Sequence, residues 1–350
     1  MQALVLAGGE GTRLRPLTLS VPKPVMPLAN RPFLTFMLDW LERHGVDEAI
    51  LSCGFLSEAV EQVLGDRHGG IALRYVVEDE PLGTAGPVRH ARDLGLVAER
   101  VLVLNGDVLT DFDLSAELAQ HEAKGALATL ALIAVPDTTA YGVVPTRDDL
   151  QVDAFLEKTT SPPTNRINAG AYVLEREVVD RIPAGRAVSF EHEVFPQLVG
   201  EGLYGYLAEG YWIDIGTPDR YLEATYDLLA ERVESTLPAR DETGSLVAEG
   251  SITSGARIIG PMSVLGRHCS VGVGSTVERS VLHDDVRVGV GCTITGAVVA
   301  QGARIEDDVV VEEGAVVGAG ASVSAGSRVE RGARIDPGAA VSGGQPVGPA

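Results

Sequence analysis

Gly8, Gly9 and Gly11 are followed within a dozen residues by Thr12, Arg13, Arg15 and Lys23. Glycines let a backbone adopt positive φ and approach a ligand closely. Successive amides in such a turn form a concavity of N–H donors suited to phosphate, and the three cations add charge that backbone dipoles lack. The same pattern also suits a tight strand-to-helix turn with surface arginines, and spacing alone leaves both readings open. A Walker A loop is excluded, because no Gly-Lys-Ser/Thr follows. The dinucleotide fingerprint is excluded too, because Leu14 stands where its third glycine belongs. The expectation is a nucleoside triphosphate held by another geometry.

Two carboxylates follow apolar runs. Asp107, in Asn105-Gly106-Asp107, lies at the end of a predicted buried strand, where ligand sites gather in open α/β sheets. Beside a triphosphate it is a natural Mg²⁺ ligand; it equally suits a helix N-cap or a turn. Asp214, in Trp212-Ile-Asp-Ile-Gly-Thr-Pro218, precedes a helix that Thr217 can cap with Pro218 at the first position, so Asp214 is not needed for capping. Three further stretches could line a site. They are Glu78-Asp-Glu-Pro-Leu-Gly-Thr-Ala-Gly86, Phe155-Leu-Glu-Lys158 and Asn168-Ala-Gly170. Each, taken alone, also reads as a turn or a solvated pair.

The elements that must hold these residues alternate between two periods. Leu4–Leu6, Ala49–Cys53, Leu73–Val77 and Val101–Asn105 read as strands. Phe33–Leu41, Leu56–Leu64 and Thr84–Leu94 read as helices. This order predicts a mostly parallel sheet covered on both faces. Strands Leu127–Ala134, Gln151–Leu156 and Ile167–Leu174 extend it into a mixed sheet with room for a second substrate. A helix over Pro218–Glu234 closes a first domain at 1–234, and residues 235–245 read as a linker. Beyond it Ile305, Val311, Val317, Val323, Val329 and Ile335 recur every six residues, with Gly314, Gly320, Gly326, Gly332 and Gly338 three out of phase. Ile252, Ile258 and Val264 begin the rhythm, which slips near Val271 and Val299. Period six marks a hexapeptide β-helix over 246–342, with roughly three hexads to a coil and about five coils. Residues 343–350 read as a disordered tail. His268 and His283, near its turns, read as ordinary surface residues, catalysis being the alternative.

Composition narrows the partners. The 350 residues include 49 acidic and 28 basic side chains, for a net charge of −21. Such a surface argues against binding nucleic acid or an anionic membrane. No apolar run approaches the roughly 20 residues of a membrane span. Cys53, Cys269 and Cys292 are too scattered for a disulfide framework or zinc site. With no signal-peptide pattern at the N-terminus, the expectation is a reducing, cytoplasmic compartment.

Taken together, Gly8–Thr18 with Lys23-Pro24, Pro81–Gly86, Asn105–Asp107, Glu157-Lys158, Asn168–Gly170 and Trp212–Pro218 resemble the sugar nucleotidyltransferases. The resemblance runs in family order along the whole chain and is nearest to the bacterial mannose-1-phosphate guanylyltransferases. It implies an α/β fold, a Rossmann-like mixed-sheet nucleotidyltransferase domain followed by a left-handed β-helix of hexapeptide repeats. That hand would be an exception to the usual right-handed crossover. It also implies the reaction of a sugar 1-phosphate with an NTP, using Mg²⁺, to give an NDP-sugar and pyrophosphate. Carried onto this sequence, Leu6, Ala7, Gly8, Gly9, Gly11, Thr12 and Arg13 bind the nucleotide with Glu78, Pro81, Gly83, Thr84 and Asp107. Lys23 bridges phosphates, Asp107 and Asp214 hold Mg²⁺, and Lys158 grips the sugar phosphate. Gly142, Glu157, Asn168 and Thr84 surround the sugar.

The resemblance places Glu78 against the base. Guanine presents N1–H and its 2-amino group side by side, and a carboxylate accepts both; uracil and thymine flank one N–H with carbonyls that a carboxylate repels. GTP is therefore the expected nucleotide, and the resemblance implies mannose 1-phosphate as the sugar substrate. The alternatives are a glucose-1-phosphate adenylyl-, thymidylyl- or uridylyltransferase, or a silent regulatory paralogue that binds a nucleotide sugar. A solvated Glu78 within the acidic run 78–80 is the competing local reading. The chain departs from the family where Thr159 follows Lys158 in place of the frequent proline. A second, acetyl-transferring site is not expected on so short a β-helix, which reads as an oligomerisation or regulatory module of a homo-oligomer.

Overall fold

The apolar N-terminal run forms β1 (Gln2–Leu6), with its three central residues buried. The computed structural model describes all residues except 55, 157–161, 254, 257, 343–345, 349 and 350. Packing divides the chain into two units: Met1–Gly9 with Leu34–Trp212, and Glu10–Phe33 with Ile213–Ala350. Glu10–Phe33 and the helix at Pro218 fall in the unit that holds the hexapeptide repeats.

In the first unit β1 joins β2 (Glu48–Cys53), β3 (Arg67–His68), β4 (Ile71–Val77), β5 (Arg100–Asn105), β6 (Ala128–Ala134), β7 (Arg166–Glu175) and β8 (Leu203–Leu207) in one sheet. Its order is β8-β6-β7-β5-β1-β2-β4-β3. The strands β5, β1, β2 and β4 run parallel, and β7 is antiparallel to both β5 and β6. The mixed extension thus lies where the helices thin out along the sequence. The parallel strands read as unbroken apolar runs because helices cover both faces. Leu4, Val76, Val103, Leu130 and Tyr172 share a core with Val88, Val178 and Phe195. The helices are α1 (Leu34–Arg43), α2 (Ser57–Leu64), α3 (Gly86–Asp93), α4 (Leu114–Lys124), α5 (Arg176–Arg181) and α6 (Phe195–Leu198). The α4 boundaries follow local chemistry. Asp113 accepts from the Ala116 amide at its start, and Gly125 takes a left-handed conformation at its end. The stretch Gln151–Leu156 makes isolated bridges instead of the expected ladder strand. Leu150 at φ +73° turns the chain there, and Pro145 opposite has no amide to donate.

In the second unit α7 (Pro218–Leu229) stops short of the expected Glu234 because Glu231 turns left-handed at φ +57°. The repeats then stack as three parallel sheets of six, six and five short strands. Leu282, Val299, Val317 and Ile335 from one sheet, Ile294 and Val311 from the second, and Val288, Ile305 and Val323 from the third meet in one core. Val264 pairs with Val281 and Val281 with Val298, so these coils hold 17 residues, whereas Val316 pairs with Arg334, 18 residues on. The slips in the six-residue rhythm are these shorter coils. On the first sheet the outward-pointing Val264, Val281, Val298 and Val316 are buried as well. The helix α7 bonds to the β-helix through Tyr221, to His283, and through Tyr226, to the Arg279 carbonyl. His283 is therefore a buried residue and not the surface histidine expected; His268 is exposed. Pro346–Val347 pair with Arg328–Val329 as a further rung, within the segment expected to be a disordered tail. Among the described residues, no helix is long and apolar enough to cross a membrane.

Candidate active site

The first unit carries the start of the glycine loop. β1 delivers Leu6 and Ala7 to the C-terminal edge of the sheet, where the Ala7 amide donates to the Ser52 carbonyl at 2.8 Å. A Cβ on Gly8 would stand 2.8 Å from Glu78 Oε1 and 3.3 Å from the Gly54 amide nitrogen. A side chain at residue 8 would have to push the Glu78 carboxylate aside. The carboxylate itself is fixed: Ser52 Oγ donates to Oε1 at 2.9 Å and the Leu82 amide to Oε2 at 3.1 Å. Its neighbours Asp79 and Glu80 are exposed, whereas Glu78 is half-buried. A carboxylate offers about four lone-pair directions, so two remain for a ligand.

Pro81–Gly86 turns over a second loop. Gly83 takes φ +77°, and a Cβ there would stand 2.5 Å from the Val188 carbonyl. Thr84 Oγ1 donates to Glu191 Oε2 at 2.8 Å and accepts from the Phe190 amide at 2.8 Å. The Thr84 hydroxyl is thus committed to the chain at 190–191. Ser189 Oγ donates to the same Glu191 oxygen at 2.7 Å. Glu191 lies in a single π-helical turn, Phe190–Val194, a form often found at functional sites.

At the end of β5 the Gly106 amide donates to the Leu6 carbonyl at 2.9 Å, and a Cβ on Gly106 would meet that oxygen at 2.7 Å. Asp107 therefore follows directly on the point where the two strand ends touch. It occupies a turn before the short strand Val108–Thr110, and the cap of α4 is Asp113, so Asp107 is no helix cap. Gly170 at φ +76° lies against the Asn105 amide group, 2.6 Å from where a Cβ would be. Asn168 Oδ1 accepts from the Gly170 amide at 3.0 Å, and its Nδ2 donates to Tyr172 Oη at 2.8 Å. Burial raises the Tyr172 phenol well above its ordinary range, and the charges of Glu191 and Asp107 push the same way. Gly142 follows Tyr141, whose ring meets Trp212 edge-on at 5.6 Å, and Trp212 Nε1 donates to the Ala169 carbonyl at 2.8 Å. Glu157 and Lys158 lie outside the described residues.

The second unit carries Gly11, Thr12, Arg13, Lys23 and Asp214. Gly11 at φ +60° is wrapped by its own loop: Thr18 Oγ1 donates to its carbonyl at 2.9 Å, and a Cβ would meet Thr18 at 2.9 Å and Lys23 Cβ at 3.6 Å. Lys23 is only 9% exposed, which is rare for a lysine. Arg15 is spent on Glu10 at the surface, 3.1 Å away. Arg13 and Asp214 converge over Gly216, where a Cβ would stand 2.8 Å from Arg13 Nη2 and 3.0 Å from Asp214 Oδ2. Thr217 caps α7 by accepting from the Arg220 amide, so that helix does not draw on Asp214.

The nucleotidyl transferase profile matches residues 2–231, which include every one of these loops. The chain belongs to the nucleotidyl transferase family. A second profile, GlmU-like C-terminal hexapeptide, matches residues 238–320. This nucleotidyl transferase is 43% identical over 84% of its length to 83% of the mannose-1-phosphate guanylyltransferase of Mycobacterium tuberculosis. It is 32% identical over 85% of its length to 87% of the UTP–glucose-1-phosphate uridylyltransferase of Synechocystis. Among solved structures, HddC from Yersinia pseudotuberculosis complexed with GMP-PN superposes with a TM-score of 0.54 at 29% identity, covering 64% of this chain and 97% of that one.

Within the nucleotidyl transferase, Glu191, Tyr172 and Ser52 were not singled out by sequence. They are ordinary strand, core or turn residues by pattern, and only packing brings them beside Thr84, Asn168 and Glu78. Family enzymes of this kind use a divalent metal. Among the described residues no three His, Cys, Asp or Glu side chains cluster as a ligand cage.

Proposed function

We propose that this nucleotidyl transferase joins GTP to mannose 1-phosphate, releasing pyrophosphate and forming GDP-mannose. A phosphate oxygen of the sugar phosphate bonds to the α-phosphorus of GTP while the bond from that phosphorus to the pyrophosphate oxygen breaks. The nucleophile is already an anion, so no general base is needed and catalysis is positioning plus charge neutralisation. The observation that carries the base choice is the half-buried Glu78 carboxylate, held by Ser52 and Leu82 against Gly8. It is oriented before any ligand arrives and can accept the two adjacent donors of guanine. The sugar is assigned from the mycobacterial relative's name and its 43% identity.

In this reading the amides of Gly8, Gly9, Gly11 and Thr12 hold the triphosphate, with Leu6, Ala7, Pro81 and Gly83 shaping the pocket. Arg13 and Lys23 neutralise the α-phosphate and the departing pyrophosphate. Lys158 holds the sugar phosphate, and Gly142, Glu157 and Asn168 meet sugar hydroxyls. Thr84, whose Oγ1 keeps one lone pair after bonding Glu191 and Phe190, binds the nucleotide beside the sugar. Asp107 and Asp214 would hold Mg²⁺. One or two carboxylates with no surrounding cage fit an ion that keeps its waters and leans on substrate phosphates. When bound, the ion supplies positive charge to those phosphates. The proposal includes a homo-oligomer, supported by exposed Ile252, Val273 and Val290 on the coils. It also includes a cytoplasmic, reducing compartment, supported by three buried, unbridged cysteines.

Pyrophosphate release with Mg²⁺ across GTP, ATP, UTP and dTTP, each with mannose and glucose 1-phosphates, tests the reading. Turnover confined to GTP with mannose 1-phosphate is expected. Turnover with UTP and glucose 1-phosphate would favour a second reading, prompted by the Synechocystis relative and opposed by Glu78. Nucleotide binding without turnover would favour a regulatory paralogue.

A further inference from the structure

Three anchors tie the segment after Lys23 to the rest of the second unit. Tyr221 Oη, on α7, donates to the Pro27 carbonyl at 2.5 Å and lies 3.0 Å from His283 Nε2 on the β-helix. Asn30 Nδ2 donates to the Leu265 carbonyl, also on the β-helix, at 2.8 Å. Arg31 donates to the Thr236 carbonyl at 2.7 Å. Ala29 and Asn30 both take positive φ, forming the two-residue turn of the hairpin between Pro27–Leu28 and Arg31–Pro32.

The proton count at Tyr221 is determinate. A carbonyl only accepts, so the single phenolic proton goes to Pro27, and the phenol oxygen must accept from His283. That requires the Nε2–H tautomer of His283. Tyr221 and His283 are both buried, and burial holds the imidazole neutral, its pKa lowered to about 4. Between Pro27 and Lys23 the chain has little freedom. Pro22, Pro24 and Pro27 fix φ, Lys23–Val25 form one 3₁₀ turn, and the Met26 amide closes it on the Lys23 carbonyl at 3.2 Å. A fixed carbonyl at Pro27 therefore fixes the Lys23 backbone four residues earlier.

We propose that Tyr221 is a positioning residue for Lys23 and that His283 holds it in place, so that the hexapeptide domain bears directly on the segment that supplies this cation. The kinetic consequence rests on the reading of Lys23 given above; the mechanical one does not. A misplacement on the order of 1 Å far from the chemistry can cost 10²-fold in rate. The tests are Tyr221→Phe and Asn30→Ala in the full chain, each alone and with Lys23→Met, measuring kcat and KM for pyrophosphate release. Tyr221→Phe is expected to lower kcat about 10-fold with KM for GTP changed less, and to cost nothing further once Lys23 is gone. An unchanged kcat, or the same factor in both backgrounds, overturns the kinetic claim. Hydrogen exchange gives a readout that needs no turnover. Tyr221→Phe should speed exchange at the Val25, Met26 and Phe33 amides and leave the β1–β5 sheet unchanged; no change at those three amides overturns the brace itself. If Tyr221→Phe does not fold, Asn30→Ala carries both measurements. A wild-type enzyme silent with every substrate pair would overturn the proposed function and the kinetic role with it, while hydrogen exchange still decides the brace.

Discussion

Glu78 Oε1 lies 2.8 Å from the point where a Cβ on Gly8 would begin. The start of the glycine loop and the carboxylate are thus in contact, so that a side chain at residue 8 would displace Glu78. Glu78→Gln is expected to lower kcat/KM for GTP by about 10²-fold, since a charge-assisted pair of bonds to guanine is worth about 1.5–3 kcal/mol. The same variant should raise the relative rate with UTP, because the carbonyl repulsion is relieved. Parallel kinetics with both nucleotides check this, and an unchanged GTP/UTP ratio would remove Glu78 from base recognition.

Arg13 and Lys23 are the cations assigned to the triphosphate. Arg13→Ala or Lys23→Met should each lower kcat by 10²–10³, about 3–4 kcal/mol if they behave like a lost oxyanion-hole donor. Isothermal titration with GTP separates this from simple loss of binding. A drop confined to affinity, with kcat retained, would make the residue a binding group only.

His283 makes stability depend on pH. Its native pKa of about 4 lies below the ordinary 6.5, because burial outweighs the opposing charge of Asp284. The unfolded chain therefore binds a proton that the native state refuses between these values. Stability from this group is full above pH 6.5 and is lost as pH falls toward 4, by about 3 kcal/mol in all. Urea melts from pH 7.5 to 4.5 on wild type and His283→Gln should diverge in slope, the variant lacking this component.

Glu117 on α4 is fully buried, and neither carboxylate oxygen has a hydrogen-bond partner among the described residues. Burial raises its pKa well above 4.5, so the native state keeps the acid neutral. The unfolded chain ionises once pH passes 4.5, so native stability is lost as pH rises beyond that value. Glu117→Met, of similar volume and without the polar atoms, is expected to stabilise at pH 7 by about 1–3 kcal/mol and by less at pH 4. Melting temperatures at the two pH values decide it; a lower melting point at pH 7 would show that Glu117 has a role the packing does not reveal.

Local chemistry carried much of this protein in its order of residues. Period six can come from neither a helix nor a simple strand, so Ile305 through Ile335 announced the stacked coils. The glycines at 8, 11, 83, 106 and 170 stand where positive φ or close approach demands them. Asp113, Thr217 and Pro218 mark helix starts by rules that act over three or four residues. The six-residue period and the helix-start signals depend on neighbours along the chain, and neighbours along the chain are what a sequence displays.

Tertiary packing decided the rest, because it depends on residues far apart in number. Thr84 is held by Phe190 and Glu191, more than 100 residues later in the chain, and nothing near Thr84 in the sequence shows it. His283 looked like a surface residue because its turn is polar, and is buried because Tyr221 of α7 lies over it. Lys23 and Arg13 are written beside Gly8, yet they belong to the unit that holds the β-helix. Period and turn chemistry determined which elements form; the burial of distant side chains against one another decided which element holds which residue of the candidate site.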